Sequence, residues 1–357
     1  MTRALVTGST GGLGANIVAA LNARGVEVVG LRRDTSPSVA VEGLALTPIT
    51  GDILDPDSLG PAVEGVDWVF HAAAIADDWH YPAETIYRVN VEGTRNVLRA
   101  AREAGVARFI YTSSVAALGA PGPDRPTLDE TATFNLDPGV WPYGHSKALA
   151  EEVIREEAGG RMQTVALLPS AIMGPCDWKF ISGELIVRAL KRQIFPFPEG
   201  GLNFVDMRDC AAAHVAAAEC ADPAPRYVIG GHNLTHREAL TTIGEVLGVP
   251  VRILRVPKWA LPSIAAGVTL LHRLGVDLPV ERARVLLSGH HVYVDSSKAS
   301  RELGLRARPF AESVRDAYHW YREHGYLERR GVPAHRLAEA DSASAEPDYE
   351  SEAHFYG

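Results

Sequence analysis

Residues Arg3 to Leu21 read RALVTGSTGGLGANIVAAL, and this stretch decides the fold. A short β-branched run, Arg3 to Thr7, leads into glycines at positions 8, 11 and 14, and a helical pattern starts at Gly12. Glycine at such a turn lets the backbone bend and lets a pyrophosphate approach closely. The free N–H groups and positive dipole end of the following helix then hold phosphate oxygens. Many glycine-rich turns are only turns. A strand before and a helix after make this one a candidate dinucleotide site, with Gly8, Thr10, Gly11, Gly12, Leu13 and Gly14 as its contacts.

The alternation continues outward from that turn. Val26 to Leu31, Leu44 to Ile49, Trp68 to Ala72, Arg108 to Ser113 and Thr164 to Pro169 read as strands. Gly12 to Arg24, Pro82 to Ala104 and Tyr143 to Glu157 read as helices. Such alternation implies parallel pairing through right-handed crossovers, so the expected fold class is α/β, a Rossmann-type doubly wound parallel sheet. The second half is less regular. Helical patterns at Ser182 to Arg192, Arg208 to Ala221, Thr235 to Leu247 and Phe310 to His324, with one short strand at Arg226 to Ile229, predict a smaller, mostly helical C-terminal substrate lobe. The expected division is a nucleotide-binding domain over 1–170, rejoined by 203–230 and about 290–300, and a lobe over 171–202 and 231–330. From Glu339 the composition turns to Ala, Ser, Asp and Glu, and 339–357 is expected to be a disordered acidic tail.

The 357 residues are 46% apolar and 22% charged, with a formal net charge of −9. That composition suits a packed globular core, and it lacks the basic face of a nucleic-acid binder. Cys176, Cys210 and Cys220 are odd in number and form no CxxC pair, so reduced thiols and a cytoplasmic location are expected. Gly8 to Gly14 interrupts any secretory apolar run. The longest apolar stretch, Trp259 to Leu274, contains Pro262, His272 and Arg273, which argues against a stable membrane span. It reads as a core or substrate-covering helix, with shallow membrane contact the lesser alternative. His71, His80, His145, His214, His290 and His291 show no zinc-ligand spacing, so no metal is expected.

The second strand ends in Leu31-Arg32-Arg33. An acidic residue near this point takes the ribose hydroxyls of NAD, whereas arginine suits a 2′-phosphate, so Arg32 and Arg33 favour NADP(H). Two solvated surface arginines are the plain alternative. Asp52, in the Gly51-Asp52-Ile53 turn, is placed to accept from the adenine amino group or to cap a helix near Pro56.

The fifth strand runs into YTSSVAALG, with Ser113 and Ser114 at the end where open parallel sheets bind ligands. Further on, WPYGHSKALAEE sets Tyr143 and Lys147 four residues apart, on one helix face. That spacing alone is common; the order glycine turn, strand-end serines, Y-x-x-x-K helix is not. A nearby ammonium lowers a tyrosine pKa from about 10 by about one to three units. Tyr143 can then give a proton to a carbonyl oxygen or take one from an alcohol, while Ser114 hydrogen-bonds the same oxygen.

With these residues in view, Met1 to about Leu327 resembles an extended short-chain dehydrogenase/reductase of the NAD-dependent epimerase/dehydratase superfamily. TGSTGGLG resembles its nucleotide turn, GDILD its adenine-side motif, and HAAA (His71 to Ala74) the motif after its fourth strand. YRVNVEGTRNV, YTSSVAALG, YGHSK and VDMRDCAAAH also fit. The resemblance implies that Ile53, Ala72, Ala73 and Ala74 touch the cofactor and that Pro169 borders the nicotinamide. It also implies that Asn90 supports a proton-relay water and that Ser114 is the catalytic serine. Within the family the chain resembles the dihydroflavonol 4-reductase-like branch and relatives named hopanoid-associated sugar epimerases. Leu168 in LLPSAIMGP departs from the arginine or asparagine common there, and GPCDWKFISG lacks the epimerase-like threonine-rich continuation.

The expected function is NADPH-dependent reduction of a ketone or aldehyde, reversible as alcohol dehydrogenation. The alternatives are a nucleotide-sugar epimerase or dehydratase retaining NAD, a 3β-hydroxysteroid dehydrogenase-like activity, and a non-enzymatic NADP sensor. Trp79 and Trp178 are the aromatic candidates for the substrate cleft, each matched by plain lobe packing. The expected partner is a small carbonyl or alcohol compound; a homodimer is compatible with the sequence.

Overall fold

The computed structural model describes residues 2–76, 81–159, 161–276, 280 and 282–344. Seven parallel strands form its main sheet, in the order Arg226–Ile229, Gln163–Pro169, Arg108–Thr112, Trp68–His71, Arg3–Thr7, Glu27–Arg32, Thr47–Thr50. Alternate residues of the central strand serve opposite faces. Leu5 packs with Val29, Val69 and Phe109 on one side, and Ala4 and Val6 pack with Ile17, Val28 and Ile110 on the other. A strand covered on both faces is apolar at every position, which is why these segments read as unbroken runs. The chain moves outward from Arg3–Thr7 through two strands, then returns to place Trp68–His71 on its other side. The crevice beyond the C-terminal ends of these two neighbours is a topological switch point, where such sheets bind ligands.

The Pro82 to Ala104 pattern is not one helix. Ala83–Tyr87 and Gly93–Glu103 are α-helical, joined by a π-helical segment at Arg88–Glu92. The second lobe also holds a five-stranded sheet that the sequence reading missed, because its strands are two to six residues long. His232–Thr235, Gly201–Asp206, His291–Val294 and Thr127–Leu128 lie side by side, with Ala171–Met173 against Gly201–Asp206. Gly201–Asp206 thus belongs to this sheet. The chain meets the first core again through Val205 of this strand and then at the helix Met207–Glu219, whose Cys210, Ala211 and Val215 pack with Ile17 and Val18. The lobe has its own core, built around Ile186, Phe195, Leu240, Phe310, Tyr318 and Tyr321.

Two expectations are corrected. Order does not end at Glu339: the helix Ala334–Ser344 carries Leu337 and Ala340 into the lobe core. Asp341 accepts from the Tyr318 hydroxyl at 2.5 Å and from the Arg322 guanidinium at 2.9 Å. An acidic residue on a helix reads the same in sequence whether it faces water or a partner arginine. Residues 345–357 lie outside the described residues. The Trp259 to Leu274 stretch, expected as a core or substrate-covering helix, lies on the surface rather than in the core. A 3₁₀ turn at Lys258–Ala260 opens into the helix Leu261–Arg273, of which Leu261, Ala265 and Val268 are buried.

Candidate active site

The nucleotide turn is held by close backbone approach. Gly8 has φ of +69°, and a Cβ there would stand 2.8 Å from the Ala73 nitrogen. Glycine alone combines that dihedral with that proximity. The Gly11 N–H closes the turn onto the Gly8 carbonyl at 2.9 Å. The helix Gly12–Asn22 then starts without a side-chain cap, which leaves its first N–H groups for a ligand. On the facing side, Ala72 N–H donates to the Thr7 carbonyl and Ala73 N–H to Thr7 Oγ1. Pro169 is buried where its strand ends.

Of the two readings of Trp178, its contacts favour packing. Its indole N–H donates to the Thr10 carbonyl at 2.9 Å, and its ring packs near Ala15, Ala40 and Val41, so it braces the glycine turn. Trp79 lies outside the described residues. The Arg32 and Arg33 side chains form no ion pair or hydrogen bond with another described residue, while Asp34 beyond them accepts from the Thr50 hydroxyl at 3.1 Å. Asp55, not Asp52, caps the Pro56–Ser58 turn. Asp52 accepts from the Leu54 N–H through one carboxylate oxygen, in front of the buried Ile53.

Tyr143 and Lys147 lie on the helix Pro142–Glu157. Lys147 is buried; its Nζ donates to the Thr112 carbonyl at 2.7 Å and to the Tyr111 hydroxyl at 3.2 Å, and stands 4.8 Å over the Tyr111 ring. Burial pulls its pKa from the usual 10.5 down to about 7, opposed in part by the charge of Glu151. Glu151, one turn on, accepts from the Ser113 hydroxyl and pairs with Arg226 at 2.8 Å. Burial pushes its carboxyl up, against the pull of Arg226, Ser113 and Lys147.

Ser114 caps the 3₁₀ turn Val115–Leu118, its Oγ accepting from the Ala116 N–H at 3.1 Å. Its O–H has no acceptor among the described residues, so the proton is available to a ligand oxygen. Helix and turn touch because Gly144 has no side chain: a Cβ there would lie 2.7 Å from the Ala116 carbonyl oxygen. The residue after Tyr143 is thereby packed against the turn that Ser114 begins.

Asn90 sits buried in the π-helical segment. Its Oδ1 accepts from the Ile75 N–H, its Nδ2 donates to the Ile75 carbonyl and to Ser146 Oγ, and its own carbonyl accepts from Thr94. These contacts make Asn90 a brace between the loop after the fourth strand and the Tyr143 helix. The extra residue of a π turn, a frequent mark of functional sites, places it there. His71 bridges Thr7 Oγ1 at 2.7 Å and Thr94 Oγ1 at 2.9 Å. Burial, then the charge of Lys147, lowers its pKa to about 3, which keeps the ring neutral.

The sequence reading missed Tyr111, Ser146 and Glu151. Glu151 had a signal, since it follows Lys147 at helical spacing. Tyr111 had none in the linear sequence; sheet register alone places Thr7, His71 and Tyr111 in one row. Beside the first turn of the Tyr143 helix a cavity of about 500 Å³ opens between Tyr81, Ile86, Pro142, Thr269, His272 and Arg282, among others.

Known proteins resemble this chain in sequence and fold. A family model described as "NAD dependent epimerase/dehydratase family" matches residues 4–230. The chain is 36% identical over 329 residues to a Synechocystis sp. protein provisionally named dihydroflavonol 4-reductase, covering 90% of this chain and 95% of that one. It is 32% identical over 324 residues to the 4-hydroxy-2-methyl-3-oxo-4-farnesyl-3,4-dihydroquinoline-1-oxide ketoreductase of Stigmatella aurantiaca, covering 88% and 95%. Among solved structures, that of gox2253 matches with a TM-score of 0.79 at 34% identity, over 91% of this chain and 99% of the other.

Proposed function

We propose that this chain, which belongs to the NAD dependent epimerase/dehydratase family, is an NADPH-dependent reductase of a ketone or aldehyde, reversible as an alcohol dehydrogenase. The residues fit such a cofactor. The uncapped helix start after the tight Gly8 turn suits the pyrophosphate, and Arg32 and Arg33, unpaired among the described residues, suit a 2′-phosphate. When bound, the nicotinamide supplies the hydride. The chain supplies the rest. Tyr143 gives its phenol proton to the carbonyl oxygen. Lys147, buried one turn away, favours the phenolate left behind. Ser114 donates its free O–H to the same oxygen and fixes its position. Ser113, Glu151 and Arg226 hold the underside of the site in one arrangement.

The observation that carries this reading is the buried Lys147 on the helix that bears Tyr143, packed through Gly144 against the turn begun by Ser114, whose O–H has no acceptor among the described residues. The Stigmatella relative's name supports carbonyl reduction. The competing reading is a nucleotide-sugar epimerase retaining NAD, favoured by the family's description. The discriminating experiment incubates purified protein with NADPH or NADH and panels of aromatic, aliphatic and steroidal ketones, and separately with nucleotide sugars. Net NADPH consumption matched by alcohol supports the reductase. Sugar interconversion without nicotinamide consumption would replace it by the epimerase, and tight NADPH binding without turnover on any panel by the sensor.

A further inference from the structure

The segment Trp259 to Val276 is absent from the chemistry above. Ten large apolar side chains are exposed among the described residues, and six of them lie here: Trp259, Ile264, Leu270, Leu271, Leu274 and Val276. The helix Leu261–Arg273 turns Leu261, Ala265 and Val268 inward, at the spacing of one helical face. On the opposite face Ala266, Leu270 and Leu274 recur every fourth residue and are exposed, with Trp259 at the head, 81% exposed. An outward apolar stripe of this extent marks a surface that something covers.

Charge says what covers it. The chain has 44 acidic residues and a net charge of −9, yet none of the acids falls between Glu245 and Asp277. The same stretch holds Arg252, Arg255, Lys258 and Arg273, all exposed. A second copy docking on the same face by two-fold symmetry would bring these cations against their own kind. Aromatic and aliphatic side chains with Lys258 at the head and Arg273 at the end of the same helical segment suit another surface: headgroup phosphates outside and acyl chains within. We propose that this face docks the protein on the surface of an anionic lipid bilayer. The helix would lie in the interface; no helix among the described residues is long and apolar enough to cross a membrane.

Docking would set the cavity beside the Tyr143 helix against the lipid. Thr269, His272 and Arg273 of this helix line the cavity whose other wall includes Pro142, next to Tyr143. The substrate class this fits is an amphiphilic carbonyl compound held in the bilayer, a clause that rests on the reductase reading; the docking itself does not.

The test is co-sedimentation of the full chain with vesicles of phosphatidylcholine, alone or mixed with phosphatidylglycerol. The expected result is binding to the anionic vesicles only, weakened by salt. Lys258→Ala with Arg273→Ala should weaken it about thirtyfold. Trp259→Ser with Leu270→Ser and Leu274→Ser should abolish it while leaving the melting temperature unchanged, since all three side chains are exposed. Absence of parent binding to either vesicle overturns the proposal. So does equal binding by the triple variant. A dimer in sedimentation velocity that the triple variant dissociates, without vesicle binding, would overturn it in favour of a second copy. None of these readouts depends on catalysis, so the docking can fail while the reductase reading stands.

Discussion

Replacing Lys147 by Met tests the burial of the helix ammonium without any substrate. A lysine in the unfolded chain titrates near 10.5, and this one in the fold at about 7. Between those values the chain takes up a proton on unfolding, so Lys147 makes stability rise with pH over that window. Integrated over the two titrations, the ammonium costs the fold about 4 kcal/mol at pH 7 and about 1 kcal/mol at pH 9.5. Methionine removes that cost at both values. It also leaves the Thr112 carbonyl and Tyr111 hydroxyl without their donor, a loss of about 1–3 kcal/mol at either pH. Glu151 keeps Arg226 as its partner. The variant should therefore be more stable than the parent at pH 7, by about 1–3 kcal/mol, and no more stable at pH 9.5. Urea denaturation followed by circular dichroism at the two pH values gives the difference. A gap that does not move toward the parent by about 3 kcal/mol as pH rises would refute the buried, depressed lysine.

Arg32→Ala combined with Arg33→Ala should raise the NADPH dissociation constant about tenfold or more and leave NADH little changed; an equal loss for both, by fluorescence titration, would remove the 2′-phosphate assignment. Gly144→Ala puts a methyl group 2.7 Å from the Ala116 carbonyl oxygen. The helix must shift away from Ser114, and turnover should fall about a hundredfold with NADPH affinity preserved; unchanged turnover would mean the contact is not needed. Deleting 339–357 removes Asp341 from Tyr318 and Arg322 and Ala340 from the lobe core. The melting temperature should drop by about 4 °C, from about 2 kcal/mol of lost contacts; an unaltered scan would show that the last helix contributes nothing.

The first sheet was legible because its central strands, Arg3–Thr7 and Arg108–Thr112 among them, are buried on both faces and long helices such as Gly93–Glu103 and Pro142–Glu157 connect them. The second sheet was not: Ala171–Met173 and Thr127–Leu128 are too short to show a period, and their partners are distant in sequence. The glycine turn, Ser114 and the Tyr143–Lys147 pair were legible as ordered motifs. Tyr111 and Arg226 were not, since strand register and lobe return bring them to Lys147 and Glu151. Trp178 stayed open because an aromatic shortly after the strand Ala171–Met173 reads equally as pocket or as brace, and in the fold its indole N–H donates to the Thr10 carbonyl. Glu339 to Ser344 misled because composition does not record the arginines waiting across the lobe.

The central claim is that Tyr143 protonates a carbonyl while NADPH is consumed. Its most direct measurement is the stoichiometry and rate of NADPH oxidation against alcohol formed, in the parent and in Tyr143→Phe, with NADPH affinity measured alongside. The account predicts one NADPH per alcohol in the parent. It predicts an unchanged NADPH dissociation constant and a turnover lower by about a hundredfold or more in the variant, because the ring stays and only the proton donor is lost. Undiminished net reduction by Tyr143→Phe would contradict it.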